Sequence, residues 1–230
     1  AQGCAVMVVR NSYNCGVLGY HTERLAQQGL VGLGFTNAPA SIAPAGGKKP
    51  VIGTNPFSLA VPKAGGEAAF VLDQSASVVA KSEIMMHARS GEPLPEGWAL
   101  DANGEPTTDP EVALKGSMAP SGGYKGFGTG LMVEVFAAAL SGALLGTQAS
   151  PFSGTAGGPP GTGQCFLAIN PDPLAGGVFA ERIDALTASI LAQDGARLPG
   201  QKRQQARQAN QQAGIKVENA LLEKIRGYAA

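Results

Sequence analysis

The chain has 230 residues, 44% hydrophobic and 15% charged, enough to bury roughly 70% of the surface its unfolded form exposes. Seventeen Lys and Arg balance seventeen Asp and Glu, which argues against the basic footprint of a nucleic-acid binder and against an acidic tail, and leaves a small polar ligand as the expected partner. Thirty-three glycines and sixteen prolines imply many tight turns while staying short of low complexity.

Cys4, Cys15 and Cys165 are odd in number and lack metal-type spacing, so neither a disulfide framework nor a structural metal is expected, and a reducing, cytoplasmic setting is. The most apolar stretch, Leu131 to Leu145, is interrupted by Glu134 and Ser141. It falls short of a bilayer crossing and reads as a buried helix. The opening AQGCAVMVVRNS has no basic segment followed by a long apolar run, and reads as a chain entered mid-element rather than a secretory leader.

In chain order, Ala5–Val9 predicts a buried strand, and a helix follows near Val17–Gln28 until Gly29 stops it. Leu30–Phe35 predicts a second strand. A polar, Pro-rich loop then leads to a strand-like pattern broken by Thr54-Asn55-Pro56. Ala68–Leu72 predicts a strand that delivers Asp73 to a strand–helix junction, with a helix starting at Gln74–Ser77. The segment Gly91–Pro110 is too rich in Pro and Gly for any long regular element and predicts an ordered loop or lid. Beyond it, Ser121–Gly128 feeds an apolar helix over Thr129–Leu145, Cys165–Asn170 predicts a strand, and Phe179, Ile183, Leu186 and Ile190 step along one helical face. A Gln/Arg-rich helical stretch closes the chain.

Chemistry concentrates at a few places. No G-x-G-x-x-G follows a predicted strand and no P-loop pattern exists, so a standard dinucleotide fold is unsupported. Gly122-Gly123-Tyr124-Lys125-Gly126 before a helix offers backbone N–H groups and an ammonium to an anion, although the same residues also make a plain Gly-rich turn with an exposed lysine. Asp73 suits ribose hydroxyls or, equally, an N-cap for the following helix. Thr54-Asn55-Pro56 can orient a carboxylate or carbonyl, or simply turn the chain. His21 and His87 match no nucleophilic triad and read as surface or hydrogen-bonded helix residues, and Trp98 reads as an anchor for its loop.

The blocks NSYNCGVLGY, KKPVIGTNPFSLAVP, VLDQSASVVA, GEPLPEGWALDANGEPTTDP, APSGGYKGFG and RLPG, taken in this order and spacing, resemble the non-Rossmann malate/L-lactate dehydrogenase family. That group includes ureidoglycolate dehydrogenase, sulfolactate dehydrogenase and the Δ1-piperideine-2-carboxylate reductases, and SYNCG, GGPPGTGQ and GARLPG look most like the sulfolactate branch. The resemblance runs from about residue 5 to the C-terminus. It implies a mixed α+β fold with a largely antiparallel sheet and flanking helices, a homodimer, NAD or NADP as cofactor, and hydride exchange at C2 of a 2-hydroxy or 2-imino acid.

Carried over position by position, the resemblance puts Asn14, Cys15 and Gly16 at the nicotinamide end, and Asp73, Gln74 and Ser75 at the ribose. Tyr124 and Lys125 fall at the phosphates, and Pro199, Gly200 and Gln201 at a further cofactor edge. Thr54 is expected to touch substrate, and Lys81 is a second candidate anion holder. Many relatives carry His where this chain has Asn14, and an amide cannot shuttle a proton at neutral pH. The family pattern places its main acid/base, a Ser-His-Gly stretch, in an N-terminal helical domain that nothing in these residues matches. Lys81-Ser82-Glu83 stands where the reductase branch brings an Asp to that Ser-His pair, so Glu83 is a candidate for that part, or a solvated helix carboxylate. The expected organisation is a cofactor-binding and dimerisation domain over 1–195 and a helical segment over 196–230 that packs on the N-terminal helical domain.

Overall fold

The computed structural model describes residues 2–154 and 156–229. Strand β1 (Cys4–Ser12) is followed by helix α1 (Leu18–Ala26), β2 (Val31–Thr36), β3 (Phe57–Lys63) and β4 (Glu67–Gln74). Helix α2 (Lys81–Ser90) leads to a small sheet of β5 (Ala99–Leu100), β6 (Pro106–Thr107) and, after α3 (Pro110–Lys115), β7 (Ser117–Met118). Helix α4 (Tyr124–Glu134) runs straight into a π-helical turn over Val135–Ala139, and β8 (Thr162–Ile169) precedes α5 (Asp172–Ala175), α6 (Phe179–Leu191), α7 (Gln201–Ala213) and α8 (Asn219–Ala229).

The main sheet has the order β1-β8-β2-β3-β4, and every pairing in it is antiparallel. It is therefore not the parallel, doubly wound sheet that the missing glycine fingerprint had already made improbable. The two faces of β2 show how the layers form, because successive side chains point to opposite faces of a strand. Gly32 and Gly34 face α1, where a Cβ on Gly32 would stand 2.8 Å from the Thr22 carbonyl. Leu33 and Phe35 face the other way, and Phe35 stacks on Phe136 of the π turn at 4.8 Å. A second core of Ile42, Ile52, Ala76, Ile84, Leu94, Ala99, Ala113 and Met118 joins α2, α3 and the small sheet. Trp98 packs against it, as an anchor for the long loop should.

Several sequence expectations need correction. The first strand is an edge whose two faces lie open, not a buried element: Val6 and Met7, which point to opposite faces, are 56% and 57% exposed. Gln74–Ser77 does not start a helix. The chain runs on to Ala80 before α2 begins, held by Ala76 N–H on the Thr54 carbonyl at 2.8 Å and Ser121 N–H on the Ala76 carbonyl at 2.8 Å. The apolar helix begins at Tyr124 rather than Thr129 and stops near Ala139, so Gly126, Gly128 and Gly130 lie inside it; Gly126 is there because a Cβ would stand 2.1 Å from the Ser121 carbonyl. Leu131, Met132, Val135 and Leu140 on its outer face are exposed. Among the described residues, no helix is long and apolar enough to cross a membrane.

Candidate functional site

Helix α1 starts without a side-chain cap of its own at Val17, leaving N–H groups that need an acceptor. Asp73 supplies it from β4: its Oδ2 accepts the Gly19 N–H at 2.8 Å. The carboxylate is therefore not the N-cap of a helix following in sequence, since none follows directly, but a tether to a helix that precedes it by 54 residues. Gly19 lets the two side chains come close, since a Cβ there would stand 2.8 Å from the Asp73 carboxylate and 2.9 Å from the Arg203 guanidinium and both would have to move aside. Arg203 of α7 completes the group, 3.4 Å from Asp73 Oδ2.

The loop leading into α1 lies beside this cluster. Asn14 Oδ1 accepts the Gly16 N–H at 2.7 Å in a local turn, and the Cys15 carbonyl lies 3.0 Å from His21 Nε2. Burial pushes the Cys15 thiol up from its ordinary range, partly opposed by a hydrogen bond with Thr36, and the nearby Asp73 charge adds to the rise. Gln164, buried in β8, donates to both the Tyr13 carbonyl at 3.1 Å and Thr36 Oγ1 at 3.2 Å, which fixes the loop over the ends of β2 and β8. His21 thus serves as the hydrogen-bonded helix histidine its sequence setting suggests.

Pro199, Gly200 and Gln201 reach the same cluster from the far end of the chain. The Pro199 carbonyl accepts the Val71 N–H at 3.2 Å, and Gly200, at φ +84°, approaches β4 so closely that a Cβ would stand 2.8 Å from the Val71 carbonyl. Between α7 and β4 runs a cleft of about 390 Å³ lined by Gln201, Arg203, Gln204, Arg207 and Gln208 on one side and Phe70 and Val71 on the other. Arg207 forms a bidentate pair with Glu23 of α1 at 2.9 and 3.1 Å. The final helical segment therefore packs, in part, on α1 and β4.

Tyr124 and Lys125 stand at a different place, the exposed start of α4, with Gly122 and Gly123 both at positive φ before them. Lys125 takes part in no ion pair among the described residues. A second cleft of about 350 Å³ opens beside it, lined in part by Gly46, Lys48, Asn103, Glu105 and Tyr124. The stretch from Asp73 to Ser77 connects the two places: Ser77 bridges to Pro120, and the neighbouring Ala76 bonds both Thr54 and Ser121. The structure thus brings Asp73 to the start of α1 beside the Asn14–Gly16 loop, sets Pro199 and Gly200 against Val71 on the same strand, and bonds the Thr54 carbonyl and Ser121 N–H to Ala76, while Tyr124 and Lys125 stand apart at the start of α4. Lys81 and Glu83 lie in the first turn of α2, Lys81 exposed and Glu83 half-buried, with no side-chain hydrogen bond in the structure to tie either to this path.

Sequence reasoning missed Arg203 and Gln164, whose contacts with Asp73 and with Tyr13 and Thr36 leave no mark in the sequence. Among the described residues no group of three or more His, Cys, Asp or Glu is arranged to hold a metal ion.

Residues 1–226 match the family model described as malate/L-lactate dehydrogenase. The chain is 42% identical over 99% of its length to a (2R)-3-sulfolactate dehydrogenase (NADP(+)) of Chromohalobacter salexigens, and 41% identical over 99% to a Δ1-pyrroline-2-carboxylate reductase of Pseudomonas fluorescens. These matches cover 67% and 68% of the relatives, so the chain spans about two thirds of their length. The crystal structure of Δ1-piperideine-2-carboxylate reductase from Pseudomonas syringae superposes with a TM-score of 0.88 at 34% identity, over 98% of this chain and 68% of that one. Antiparallel sheet, glycine-led helix and relatives together define an oxidoreductase of the dehydrogenase type. The chain belongs to the malate/L-lactate dehydrogenase family.

Proposed function

We propose that the chain binds NADP or NAD along the path from α1 to α4 and serves hydride transfer at C2 of a small 2-hydroxy acid of the sulfolactate, malate or lactate kind. One observation supports the reading: residues far apart in sequence converge, Gly19 and Arg203 on Asp73 and Pro199 on Val71, while Ala76, three residues beyond Asp73, bonds Thr54 and Ser121 beside the glycine-led start of α4, whose Lys125 forms no ion pair among the described residues. These groups suit a dinucleotide. Lys125 and the N–H groups of α4 face a pyrophosphate, Asp73 takes ribose hydroxyls with its free oxygen, and Asn14 to Gly16 border the nicotinamide.

When bound, the cofactor supplies the ring that accepts the hydride. The chain's part is to hold that ring and the substrate in a reactive geometry, with Thr54 orienting the substrate and Lys81 a further anion contact. Proton uptake from the C2 hydroxyl belongs to a base that Asn14 cannot be. Glu83 is the candidate within these residues, and a Ser-His pair upstream is the family-type alternative. The reductase relatives favour a second reading in which a cyclic imino acid is reduced at the same carbon.

Two copies pair in this reading, supported by the exposed apolar surface of β1 and of the outer face of α4, and the segment over 196–230 packs on a helical domain outside these residues. Substrate profiling with both cofactors tests the assignment. Oxidation of a 2-hydroxy acid supports the first reading, imine reduction the second, and cofactor binding without turnover a cofactor-binding and dimerisation fragment.

A further inference from the structure

Beneath the path, and outside every residue assigned to it, lies a carboxylate without a cation. Glu134 closes α4, is 6% exposed, and pairs with no Lys, Arg or His among the described residues. A buried charge is costly unless hydrogen bonds replace its water. Here Asn55 Nδ2 donates to Oε2 at 2.7 Å, Gly146 N–H to Oε1 at 2.6 Å and Asn37 Nδ2 to Oε1 at 3.5 Å.

Both asparagines are committed elsewhere too. Asn55 is fully buried, sits in the left-handed region at φ +39°, accepts the Ala38 N–H on Oδ1 at 3.1 Å and donates to the Gly130 carbonyl at 2.9 Å. Its amide cannot flip, because the NH2 would then face the Ala38 N–H and the oxygen the Gly130 carbonyl. Asn37 donates to the Leu144 carbonyl at 2.9 Å and accepts the Gly163 N–H at 2.8 Å.

The position of this network matters more than its energy. Asn55 follows Thr54 directly, and the Thr54 carbonyl holds Ala76 N–H. The helix that ends on Glu134 begins with Tyr124 and Lys125, about 14–15 Å away at 1.5 Å per residue. An acceptor-only carboxylate facing donors at both ends of the β2–β3 connection, Asn37 and Asn55, and on the segment before β8, Gly146, permits one arrangement of these segments, whereas apolar groups filling the same space would tolerate several. We propose that Glu134 is a positioning residue, fixing the Thr54 loop against α4 and thereby the substrate contact against the phosphate contact. This rests on the roles given above to Thr54 and Lys125.

Glu134→Gln replaces one acceptor oxygen by an NH2 that must face either Gly146 N–H or the Asn55 amide. In the full chain, amide hydrogen exchange of Ala76 should accelerate at least tenfold relative to Ala60 in β3. On titration with NADPH, the Lys125 amide resonance should still shift, with a Kd within threefold of the parent, while the shift that added sulfolactate or malate gives at Thr54 in the parent is lost. Glu134→Asp, which keeps the charge but reaches less far, should affect the same residues by a smaller factor and serves if the Gln variant does not fold. Equal acceleration at Ala76 and Ala60 would reduce Glu134 to a general stabiliser and overturn the proposal, as would an unchanged Thr54 response. A parent that binds no NADPH would refute the cofactor reading instead, and the Ala76 to Ala60 comparison would still decide for or against Glu134.

Discussion

At the scale of single residues, the site combines groups with one role and groups with two. Lys125 is exposed and forms no ion pair among the described residues, so Lys125→Ala should leave stability unchanged and weaken cofactor binding by about 1.5–3 kcal/mol, the range for hydrogen bonds to charged groups; calorimetry with both nucleotides measures it. Asp73 has two roles, because its carboxylate also tethers α1. Asp73→Asn keeps an acceptor for Gly19 and should lower cofactor affinity with little change in Tm. Asp73→Ala removes the acceptor and should lower both, and a Tm equal to the parent's would show that α1 does not need the tether. Cys15 offers a chemical probe. Its thiol is half-buried and held above the ordinary thiol range by burial, so iodoacetamide should modify exposed Cys4 first, Cys15 more slowly, and buried Cys165 last. Bound cofactor should slow Cys15 alone, and protection of Cys4 instead would place the nicotinamide end elsewhere.

Among the elements, the helix and strand spacings were largely legible because periodicity reports burial on one face. Where periodicity fails to report burial, the reading failed. The run Ala5–Val9 has the composition of an interior strand, yet whether a strand is central or an edge depends on partners that lie far away in sequence. The junction after Asp73 looked like a helix start because Gln-Ser-Ala-Ser is capping chemistry, but backbone bonds from Thr54 and Ser121 occupy Ala76 first. Arg203 and Glu134 were illegible for the same reason, since their meaning comes from contacts with Asp73 and Asn55.

The β5–β6 turn allows a pH test at this scale. Asp101 is held below the usual carboxylate range chiefly by accepting the Glu105 N–H, with Asn103 adding to the effect. A depressed carboxylate contributes stability that is complete above its unfolded value, about 3.9, and fades as pH falls through the lower folded value. Exchange at the Glu105 amide should therefore gain an acid-labile component below about pH 4 that Asp101→Asn abolishes.

For the whole molecule, catalysis in the proposed reading turns on the base that takes up the C2 hydroxyl proton. Asn14 cannot be that base, and Glu83 is the candidate weighed among the described residues. This chain alone is expected to bind cofactor yet oxidise 2-hydroxy acids at least 10²–10⁴-fold more slowly than one carrying a family-type upstream segment, the usual size of lost general acid–base catalysis. Steady-state assay of the two side by side measures it. Comparable kcat/KM would locate the base within these residues, with Glu83 the first to substitute.

The placement of β8 between β1 and β2 has a temporal meaning. Strands β2, β3 and β4 are neighbours in sequence and can pair as soon as they are made, but Ser12 and its partner Thr162 are 150 residues apart. At roughly 5–20 residues per second of synthesis, β1 waits on the order of 8–30 s for the only strand that can accept it. During that interval Val6, Met7 and Val8 lie on an unpaired edge, the kind of surface that recruits other chains. A nascent chain that aggregates should therefore do so through β1, and Val6→Lys on this exposed edge should raise the yield of folded chain while weakening the pairing of two copies proposed above.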